Sequence, residues 1–421
     1  MNRTIPRHGS VNLTVAAPPS KSYTHRALIT GALATGETVI RQPLDAGDTR
    51  LTADALRTLG VPLTWQRDEV RIGGTGGVLS CPEGTTLDLD NAGTGLRLLA
   101  SLALLCNHPV LLTGNNRMKE RPIGPLADAI ARVGGKVTFM EKQRYPPLRV
   151  GGHLTGGPVV IDGSASSQFI SSLLLVAPYA DDPMTITVTG MPASRSYIDI
   201  TVDVMRRFGA EVVQEHEGTF AVSNRHRYTG RKYTIEGDYS SASYFFAIAA
   251  ICSGRVTVTG LAPASVQGDR RFLDALQAMG CSVQHGKDSV TVERAGPLAG
   301  ITTDMSSSPD TVQTLCMVAA VADSPSTITG ISHLKFKESD RISTTAENMR
   351  SLGSDVQAGD DRIRIRPAPL HGGTIDPAAD HRTAMSFAVL GLGIGGITIT
   401  DTECVDKSFP GFWQSLAGVM Q

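Results

Sequence analysis

The chain has 421 residues, of which 41% are hydrophobic and 19% are charged, and this length predicts two or three domains. Its 39 Lys and Arg residues nearly balance its 40 Asp and Glu residues. The formal net charge of −1 therefore gives no broad positive field for nucleic acid or an acidic membrane. The N-terminal residues lack the apolar stretch of a secretion signal, and no apolar run approaches the roughly 18 residues that cross a bilayer. We expect a cytoplasmic protein that does not bind membranes.

The six cysteines are scattered, without a C-x-x-C pair and without histidines at ligand spacing. This pattern predicts neither a zinc site nor a disulfide framework, so we expect no metal and reduced thiols. The 44 glycines and 23 prolines predict many turns between short elements. Together these features favour an α/β or α+β chain.

A short strand pattern ending near a glycine recurs along the chain. Four clear copies and two weaker ones occur at residues 36–40, 108–114, 183–190, 254–260, 326–330 and 396–401. The glycines that end the clear copies, Gly114, Gly190, Gly260 and Gly330, are 76, 70 and 70 residues apart. This regular spacing predicts six units of about 70 residues.

Each unit is predicted to contain two kinds of helix. One kind is amphipathic, as in Leu126, Ala129, Ile130 and Val133, and a glycine suited to a helix C-terminus follows it. The other kind is apolar nearly all round, which indicates a buried helix. Five such segments lie at residues 96–106, 169–177, 243–252, 312–322 and 385–393. Three units would therefore surround three buried helices with sheets outside, and six units would make two domains.

The predicted buried helices begin in turns rich in Ser, Asp and Thr. These turns suit helix capping, and several of them in one place would also bind anions through free backbone N–H groups. Cations recur at two equivalent loop positions, either as solvated surface charges or as part of a site for small doubly anionic molecules. They are Lys21, Arg26, Arg97, Arg121, Lys337, Arg341, Arg382 and Lys407.

Asp310 lies at a predicted helix start among these cations, where it could be either an N-cap or a general base. The glycine motif at residues 391–396 matches G-x-G-x-x-G but follows an apolar helix and precedes a strand, which is the reverse of a dinucleotide site. SKS at residues 20–22 lacks the glycines of a phosphate loop, and no G-x-S-x-G is present. The sequence therefore gives no support to ATP, NAD or serine-hydrolase chemistry.

Six segments and one late lysine resemble a single family in order along essentially the whole chain. They are PPSKSYTHRAL (18–28), DNAGTGLR (90–97), RPIGPL (121–126), SASSQF (164–169), KESDR (337–341), DHRTAMSF (380–387) and Lys407. These segments resemble the EPSP synthases, the 3-phosphoshikimate 1-carboxyvinyltransferases. The resemblance implies an α/β fold of two inverted α/β barrel domains, each with three βαβαββ repeats and buried inner helices. One domain would contain residues 1–17 and 238–421, the other residues 18–237, with the active site in the cleft between them.

The resemblance also implies a reaction in the shikimate pathway. The enolpyruvyl group of phosphoenolpyruvate is transferred to the 5-hydroxyl of 3-phosphoshikimate by addition and then elimination of phosphate. No metal and no cofactor is implied. The expected partners are these two small molecules, and we expect a monomer.

Roles for individual residues follow from the resemblance alone. The residues implied to bind 3-phosphoshikimate are Lys21, Ser22, Arg26, Ser166, Ser167, Gln168, Ser194, Tyr197, Asp310, His333 and Lys337. The residues implied to bind phosphoenolpyruvate are Lys21, Asn91, Gly93, Thr94, Arg121, Gln168, Glu338, Arg341, Arg382 and Lys407. Asp310 would take the proton from the attacking hydroxyl, and Lys21 or Glu338 would protonate the methylene carbon.

Three positions depart from the family pattern. His333 stands where members of the family often have Asn, and could make phosphate binding depend on pH. Gly95 and Leu98 replace the usual Ala and Pro near the phosphoenolpyruvate turn, with an effect on glyphosate sensitivity whose direction the sequence does not predict.

Two other functions remain open at this stage. The first is the sister transferase acting on UDP-N-acetylglucosamine, which uses a Cys in the loop before its RP motif; residues 114–124 here contain no Cys. The second is a non-catalytic module of the same repeat that handles RNA ends. Only 5% of the residues are aromatic, which offers little stacking surface for nucleic acid.

Overall fold

The computed structural model describes residues 1–190 and 194–419, which form two compact units. Unit 1 consists of Met1–Pro18 and Glu236–Gln421, and unit 2 consists of Pro19–Ile235. The chain therefore leaves unit 1 after its N-terminal strands, completes unit 2, and returns.

The helices of the described residues are α1 (Lys21–Leu33), α2 (Gly47–Thr58), α3 (Gly93–Leu102), α4 (Asn116–Lys119), α5 (Gly124–Arg132), α6 (Ser167–Val176), α7 (Ser196–Arg207), α8 (Tyr239–Ile251), α9 (Arg271–Ala278), α10 (Val312–Ala320), α11 (Arg341–Ser351), α12 (His381–Ile394) and α13 (Phe412–Val419). Short 3-10 helices cover Ala103–Leu105, Ala177–Tyr179, Gly268–Arg270, Pro309–Thr311, Ser332–Phe336 and Thr402–Lys407.

The strands of unit 1 are β1 (Arg3–Ile5), β2 (Asn12–Ala16), β15 (Arg255–Thr259), β16 (Ser282–His285), β17 (Ser289–Glu293), β18 (Thr302–Asp304), β19 (Ser326–Thr329), β20 (Asp355–Ala358), β21 (Arg362–Arg366), β22 (Gly373–Ile375) and β23 (Ile397–Ile399). Those of unit 2 are β3 (Glu37–Arg41), β4 (Leu63–Gln66), β5 (Glu69–Gly73), β6 (Thr86–Asp88), β7 (Val110–Thr113), β8 (Gly135–Phe139), β9 (Leu148–Gly152), β10 (Gly157–Asp162), β11 (Met184–Thr189), β12 (Val212–His216), β13 (Thr219–Val222) and β14 (Lys232–Thr234).

The sheets repeat one topology. In the sheet β6-β7-β9-β8, β6 and β7 are parallel, with Thr86 paired to Leu111, while β9 is antiparallel to both β7 and β8. The sheets β10-β11-β13-β12, β14-β3-β5-β4, β16-β17-β15-β2 and β18-β19-β21-β20 contain the same parallel and antiparallel pairs. This is the pattern of a βαβαββ repeat, because a parallel pair requires a crossover helix.

Two of these sheets take a strand from a distant part of the chain. β2 pairs in parallel with β15 in unit 1, and β14 pairs in parallel with β3 in unit 2. In the remaining sheet of unit 1, β1 is antiparallel to β23 and β22 is parallel to it. The first and last strands of each unit thus close its repeat pattern.

The predicted buried helices are confirmed. α8 is buried along its whole length, and α1, α3, α6, α10 and α12 are buried at most or all of their positions. A helix with apolar residues on every side gains most when it is surrounded, here by the helices and sheets of its own unit. The glycines after the amphipathic helices are also confirmed as caps, with φ of +84° at Gly60 and +96° at Gly134. No helix of the described residues is long and apolar enough to cross a membrane.

Candidate active site

Side-chain caps fix the starts of four of the six buried helices. Ser20 and Ser166 accept hydrogen bonds from the backbone N–H groups of Tyr23 and Gln168, at the starts of α1 and α6. Asp238 and Asp380 do the same at the starts of α8 and α12. α3 and α10 begin without a side-chain cap. The capping prediction therefore holds for four of the six turns. At α10 the N-cap is Thr311, whose hydroxyl instead donates to the carbonyl of Ser308 at 3.0 Å.

In unit 2, Gln168 at the start of α6 is locked against the start of α3. Its amide Nε2 donates to Thr94 Oγ1 at 3.0 Å, and its Oε1 accepts from Arg97 Nη1 at 2.9 Å. Arg97 also donates to the carbonyl of Pro122 at 3.2 Å. These contacts bring together side chains that are 71 to 74 positions apart, one repeat of the sequence.

The turn before α3 is built around Arg121. Its buried guanidinium donates from Nη1 to both the carbonyl and the Oδ1 of Asn91, each at 3.2 Å. A Cβ at Gly93 would lie 2.4 Å from Cζ of Arg121, so only glycine lets the turn approach the guanidinium this closely. The preceding Asp90 takes the left-handed conformation, with φ of +45°.

Arg26 lies inside α1 and is 1% exposed. It donates to the hydroxyls of Thr201 and Ser171 at 2.7 and 3.3 Å, and to the carbonyls of Ser22 and Tyr197 at 2.9 and 3.0 Å. Burial lowers the pKa of Arg26 to about 10, because these partners carry no formal charge.

Lys21, at the start of α1, pairs with Asp48 near the start of α2. The distance from Lys21 Nζ to Asp48 Oδ2 is 3.1 Å, and the carboxylate is only 2% exposed. A buried carboxylate fixes the direction of the ammonium group, because the ion pair is shielded from water.

The predicted serines lie in two places in unit 2. Ser166 and Ser167 form the start of α6, and Ser194 is a buried residue in the left-handed region, with φ of +61°, just before α7. We use the name unit 2 half-site for Lys21, Ser22, Arg26, Asn91, Gly93, Thr94, Arg121, Ser166, Ser167, Gln168, Ser194 and Tyr197.

In unit 1, Arg341 at the start of α11 binds three carboxylates. It pairs with Asp310 at 2.9 Å, Glu338 at 2.8 Å and Asp380 at 2.8 Å. Burial alone would lower the pKa of Arg341, but the carboxylates of Asp380, Glu338 and Asp310 raise it above its ordinary value. Although burial would raise the pKa of Asp380, Arg341 lowers it below the ordinary range.

Asp310 bridges two arginines. Its second oxygen accepts from Arg382 Nη2 at 2.7 Å, while Arg382 Nη1 donates to the hydroxyl of Tyr244 at 3.4 Å. Asp310 lies within the 3-10 helix Pro309–Thr311, and the N-cap of α10 is Thr311. The interpretation of Asp310 as an N-cap is therefore wrong.

His333 and Lys337 lie on the segment between β19 and α11. His333 is buried, and its Nε2 has no hydrogen-bond partner among the described residues. Burial, and then the charge of Lys337, lower the pKa of His333 to about 3. Burial and the charge of Lys337 favour the neutral imidazole, which argues against the expectation that His333 makes phosphate binding depend on pH.

Lys407 is the last residue of the 3-10 helix Thr402–Lys407, which packs against α12. Lys407 therefore lies on the element next to α12. We use the name unit 1 half-site for Asp310, His333, Lys337, Glu338, Arg341, Arg382 and Lys407.

The interpretation of the recurring cations as solvated surface charges is wrong for five of them. Arg26, Arg97, Arg121, Arg341 and Arg382 are all at most 5% exposed. Buried arginines are rare unless they are paired or bind an anion.

Two residues of functional interest, Asp48 and Asp380, were not assigned a site role from the sequence. Asp48 holds Lys21, and Asp380 holds Arg341. The sequence signal for Asp380 was its place in a capping turn before a buried helix, which it combines with an ion pair. Asp48 lacks a local signal, because Lys21 is 27 positions away. Arg97 was predicted only as one of the recurring cations, and its contact with Gln168 joins residues 71 positions apart.

The departures at positions 95 and 98 have a packing explanation. A Cβ at Gly95 would lie 2.9 Å from Thr52 Oγ1, so glycine lets α3 pack closely on α2. Leu98 is fully buried in the core of unit 2. Both residues therefore contribute to the packing of α3 in unit 2.

No cluster of three or more His, Cys, Asp or Glu side chains suitable for a metal ion occurs among the residues that the structure describes. The polar groups present are guanidinium, ammonium, hydroxyl, amide and carboxylate groups. They can bind phosphate and carboxylate anions and can accept or donate protons.

The sequence model of the family described as EPSP synthase (3-phosphoshikimate 1-carboxyvinyltransferase) matches residues 6–416. A 3-phosphoshikimate 1-carboxyvinyltransferase of Methanoregula boonei is 61% identical over 418 residues, which are 99% of each chain. One from Escherichia coli is 42% identical over 415 residues, 98% of this chain and 97% of the relative. The solved structure of EPSP synthase from Acinetobacter baumannii superposes with a TM-score of 0.82 at 27% identity, covering 100% of this chain and 98% of that one.

Proposed function

The chain belongs to the EPSP synthase family, and we propose that it transfers the carboxyvinyl group of phosphoenolpyruvate to 3-phosphoshikimate. The observation that carries this proposal is the set of five buried arginines on the elements of the two half-sites, Arg26, Arg97, Arg121, Arg341 and Arg382. Burying a guanidinium is unfavourable, and small anionic substrates give these residues a function that stability alone does not require. The reaction belongs to the shikimate pathway.

The unit 2 half-site supplies the groups for 3-phosphoshikimate. Ser166 and Ser167 lie at the start of α6, where a phosphate can accept hydrogen bonds from hydroxyls and from free backbone N–H groups. Ser194 presents a third hydroxyl, and Lys337 of unit 1 a cation. We propose that Ser22, Gln168 and Tyr197 orient the ring, with Arg26 fixing the backbone of Ser22 and Tyr197.

Phosphoenolpyruvate requires cations from both units. Arg121 and the turn at Asn91, Gly93 and Thr94 supply one set, while Arg341, Arg382 and Lys407 supply the other. Planar guanidinium groups bind carboxylate and phosphate through two parallel hydrogen bonds. Since the groups are divided in this way, we propose that both half-sites contact the same pair of substrates.

Asp310 is the proposed base for the 5-hydroxyl of 3-phosphoshikimate. Arg341 and Arg382 hold both of its oxygens, at 2.9 and 2.7 Å, so its direction is fixed before the substrate arrives. The alkoxide that forms as the proton leaves attacks C2 of phosphoenolpyruvate, and the methylene carbon takes a proton. In the elimination step the resulting methyl group loses a proton as the bond to phosphate breaks, which restores the vinyl double bond. The nearby cations stabilise the departing phosphate.

Lys21 is the better candidate for protonating the methylene carbon. Its ammonium group carries protons and is directed by Asp48. Glu338 instead accepts a hydrogen bond from Arg341 at 2.8 Å, an arrangement that favours the carboxylate without a proton to give. The negative charge of Glu338 then helps to neutralise the buried Arg341 guanidinium.

The test is phosphate release by purified protein given phosphoenolpyruvate and 3-phosphoshikimate, with UDP-N-acetylglucosamine as the competing acceptor. Phosphate release with 3-phosphoshikimate as the acceptor, but not with UDP-N-acetylglucosamine, supports the proposal. Release with the nucleotide sugar alone would overturn the substrate assignment, and silence of the folded protein with both acceptors would favour a binding module without this activity.

A further inference from the structure

A turn outside both half-sites approaches the candidate base. The 3-10 helix Gly268–Arg270 lies between β15 and α9, and its Asp269 is 5% exposed. The Asp269 carboxylate accepts a short hydrogen bond from the hydroxyl of Ser240 in α8. Neither the family motifs nor the recurring cations drew attention to Asp269.

The backbone of this turn is bonded to the segment that carries Asp310. The Ser308 hydroxyl donates to the carbonyl of Gly268 at 2.6 Å. Ser308 immediately precedes the 3-10 helix Pro309–Thr311, which contains Asp310. The position of Asp310 is therefore tied on one side to the turn of Asp269 and on the other to Arg341 and Arg382.

The residue just before the turn is also fixed. Gln267 donates from Nε2 to Glu236 Oε1 at 2.7 Å and to the carbonyl of Gly237 at 2.8 Å, and its Oε1 accepts from the N–H of Tyr239 at 3.0 Å. The contacts of Gln267 and Gly268 hold the start of the turn, and a turn anchored in this way can keep the next residue, Asp269, in one place.

Three charged groups on neighbouring elements act on Asp269. They are Asp310 on the facing 3-10 helix, Arg382 at the start of α12 and Asp238 at the start of α8. On α9, Arg271 and Asp274 are exposed to solvent. Burial and the charge of Asp310 raise the pKa of Asp269 to about 7, while the Ser240 hydroxyl and Arg382 act in the opposite direction. Asp269 and Asp310 are thus electrostatic neighbours.

We propose that Asp269 is a positioning residue for Asp310, which fixes the segment of the base and sets the charge around it. The proposal rests on the function given above, in which Asp310 takes a proton. The two arginines that orient Asp310 also oppose its protonation, because they favour the negative carboxylate. When Asp269 is ionised, its negative charge acts against the arginines, and this makes proton transfer to Asp310 more favourable.

The substitution Asp269→Asn removes the charge and keeps the size of the side chain. We expect kcat to fall by about tenfold, while KM for both substrates changes by less than about twofold. In the plot of kcat against pH, the acidic limb should move to lower pH. Without the negative charge of Asp269, the Asp310 carboxylate holds its proton less tightly. A purely structural role for Asp269 would not move this limb.

Two further variants keep the test decisive. Ser240→Ala leaves Asp269 in place but removes the hydrogen bond that stabilises its carboxylate, so the limb should move in the same direction by a smaller amount. Asp274→Asn removes an exposed carboxylate one turn into α9 and should match the wild type. Thermal unfolding of each variant shows whether it folds. If Asp269→Asn does not fold, the kcat profile of Ser240→Ala tests the proposal instead.

The proposal is overturned if folded Asp269→Asn keeps the wild-type profile, or if Ser240→Ala and Asp274→Asn change it equally. Failure of the proposed function is a separate result, because it is seen as silence of the wild-type protein with phosphoenolpyruvate and 3-phosphoshikimate.

Discussion

The arginines of the two half-sites are held by different kinds of partner. In unit 2, Arg26 donates to hydroxyls and carbonyls and Arg121 donates to Asn91, all of which are neutral groups. In unit 1, Arg341 binds the carboxylates of Asp310, Glu338 and Asp380. The pKa values follow the same division, since burial lowers that of Arg26 to about 10 while the carboxylates raise that of Arg341.

This difference assigns different tasks to the two regions. Neutral dipoles orient a cation without cancelling its charge, so the unit 2 half-site keeps positive charge for an anionic substrate. Carboxylates cancel much of the charge but add proton acceptors, which suits the unit 1 half-site to the chemical step. We therefore expect substitutions of Arg26 and Arg121 in unit 2 to change mainly KM, and those of Asp310 and Arg341 in unit 1 to change mainly kcat. Lys21 is the exception in unit 2, because it pairs with a carboxylate and is the proposed proton donor.

The largest effect is expected for Asp310→Asn. Loss of the base should lower kcat by roughly 100- to 10,000-fold, with binding of 3-phosphoshikimate largely kept. Phosphate release and calorimetric titration measure the two quantities. Asp323→Asn, an exposed carboxylate of the same unit, is the control. Near-normal turnover of Asp310→Asn would remove this residue from the mechanism.

Two matched replacements compare the arginines directly. Arg341 reaches its three carboxylates from three different guanidinium nitrogens, and the single ammonium of lysine lacks this planar fork. Arg341→Lys should therefore lower the free energy of unfolding by about 3 kcal/mol and also lower kcat. Arg121→Lys loses hydrogen bonds to a neutral partner, so its free energy of unfolding should fall by only about 1 kcal/mol. Its KM for phosphoenolpyruvate should rise about tenfold. Denaturant unfolding and steady-state kinetics check both, and equal losses of stability would contradict the comparison.

Gly93→Ala tests the position of the Arg121 side chain without replacing Arg121 itself. The added Cβ would lie 2.4 Å from Cζ of Arg121, so the side chain must move. We expect KM for phosphoenolpyruvate to rise by roughly tenfold and KM for 3-phosphoshikimate to stay the same. An equal rise in both values would show that the turn serves both substrates.

The smallest effect is expected for titration of His333. Burial and the charge of Lys337 lower its pKa to about 3, so we expect the imidazole to stay neutral over the pH range in which activity is measured. The KM for 3-phosphoshikimate should therefore depend on pH in the same way in wild type and His333→Asn between about pH 5 and 9. A transition near neutral pH that disappears in the variant would contradict this.

More of the fold than of the site could be predicted from the sequence. Apolar residues on every side of a helix indicate burial wherever the helix lies, and this reasoning was correct for α8, which is buried throughout. The same local logic identified Asp380 as a cap. It did not show that Asp380 also binds Arg341, because the two residues are 39 positions apart and meet only after packing.

The protonation of His333 and the place of Asp269 were beyond sequence reasoning for a related reason. Both depend on how deeply a side chain is buried and on which charges of other repeats surround it. The residue type indicates which chemistry is available, whereas burial decides which protonation state is present.

The most direct test of the division of tasks is a single-turnover measurement of phosphate release with both substrates saturating, in wild type, Arg121→Lys and Asp310→Asn. The account predicts that Arg121→Lys regains most of the wild-type rate at saturation, whereas Asp310→Asn stays at least about 100-fold slower. Equal recovery of both variants, or of neither, would contradict the assignment of substrate binding to Arg121 and of proton transfer to Asp310.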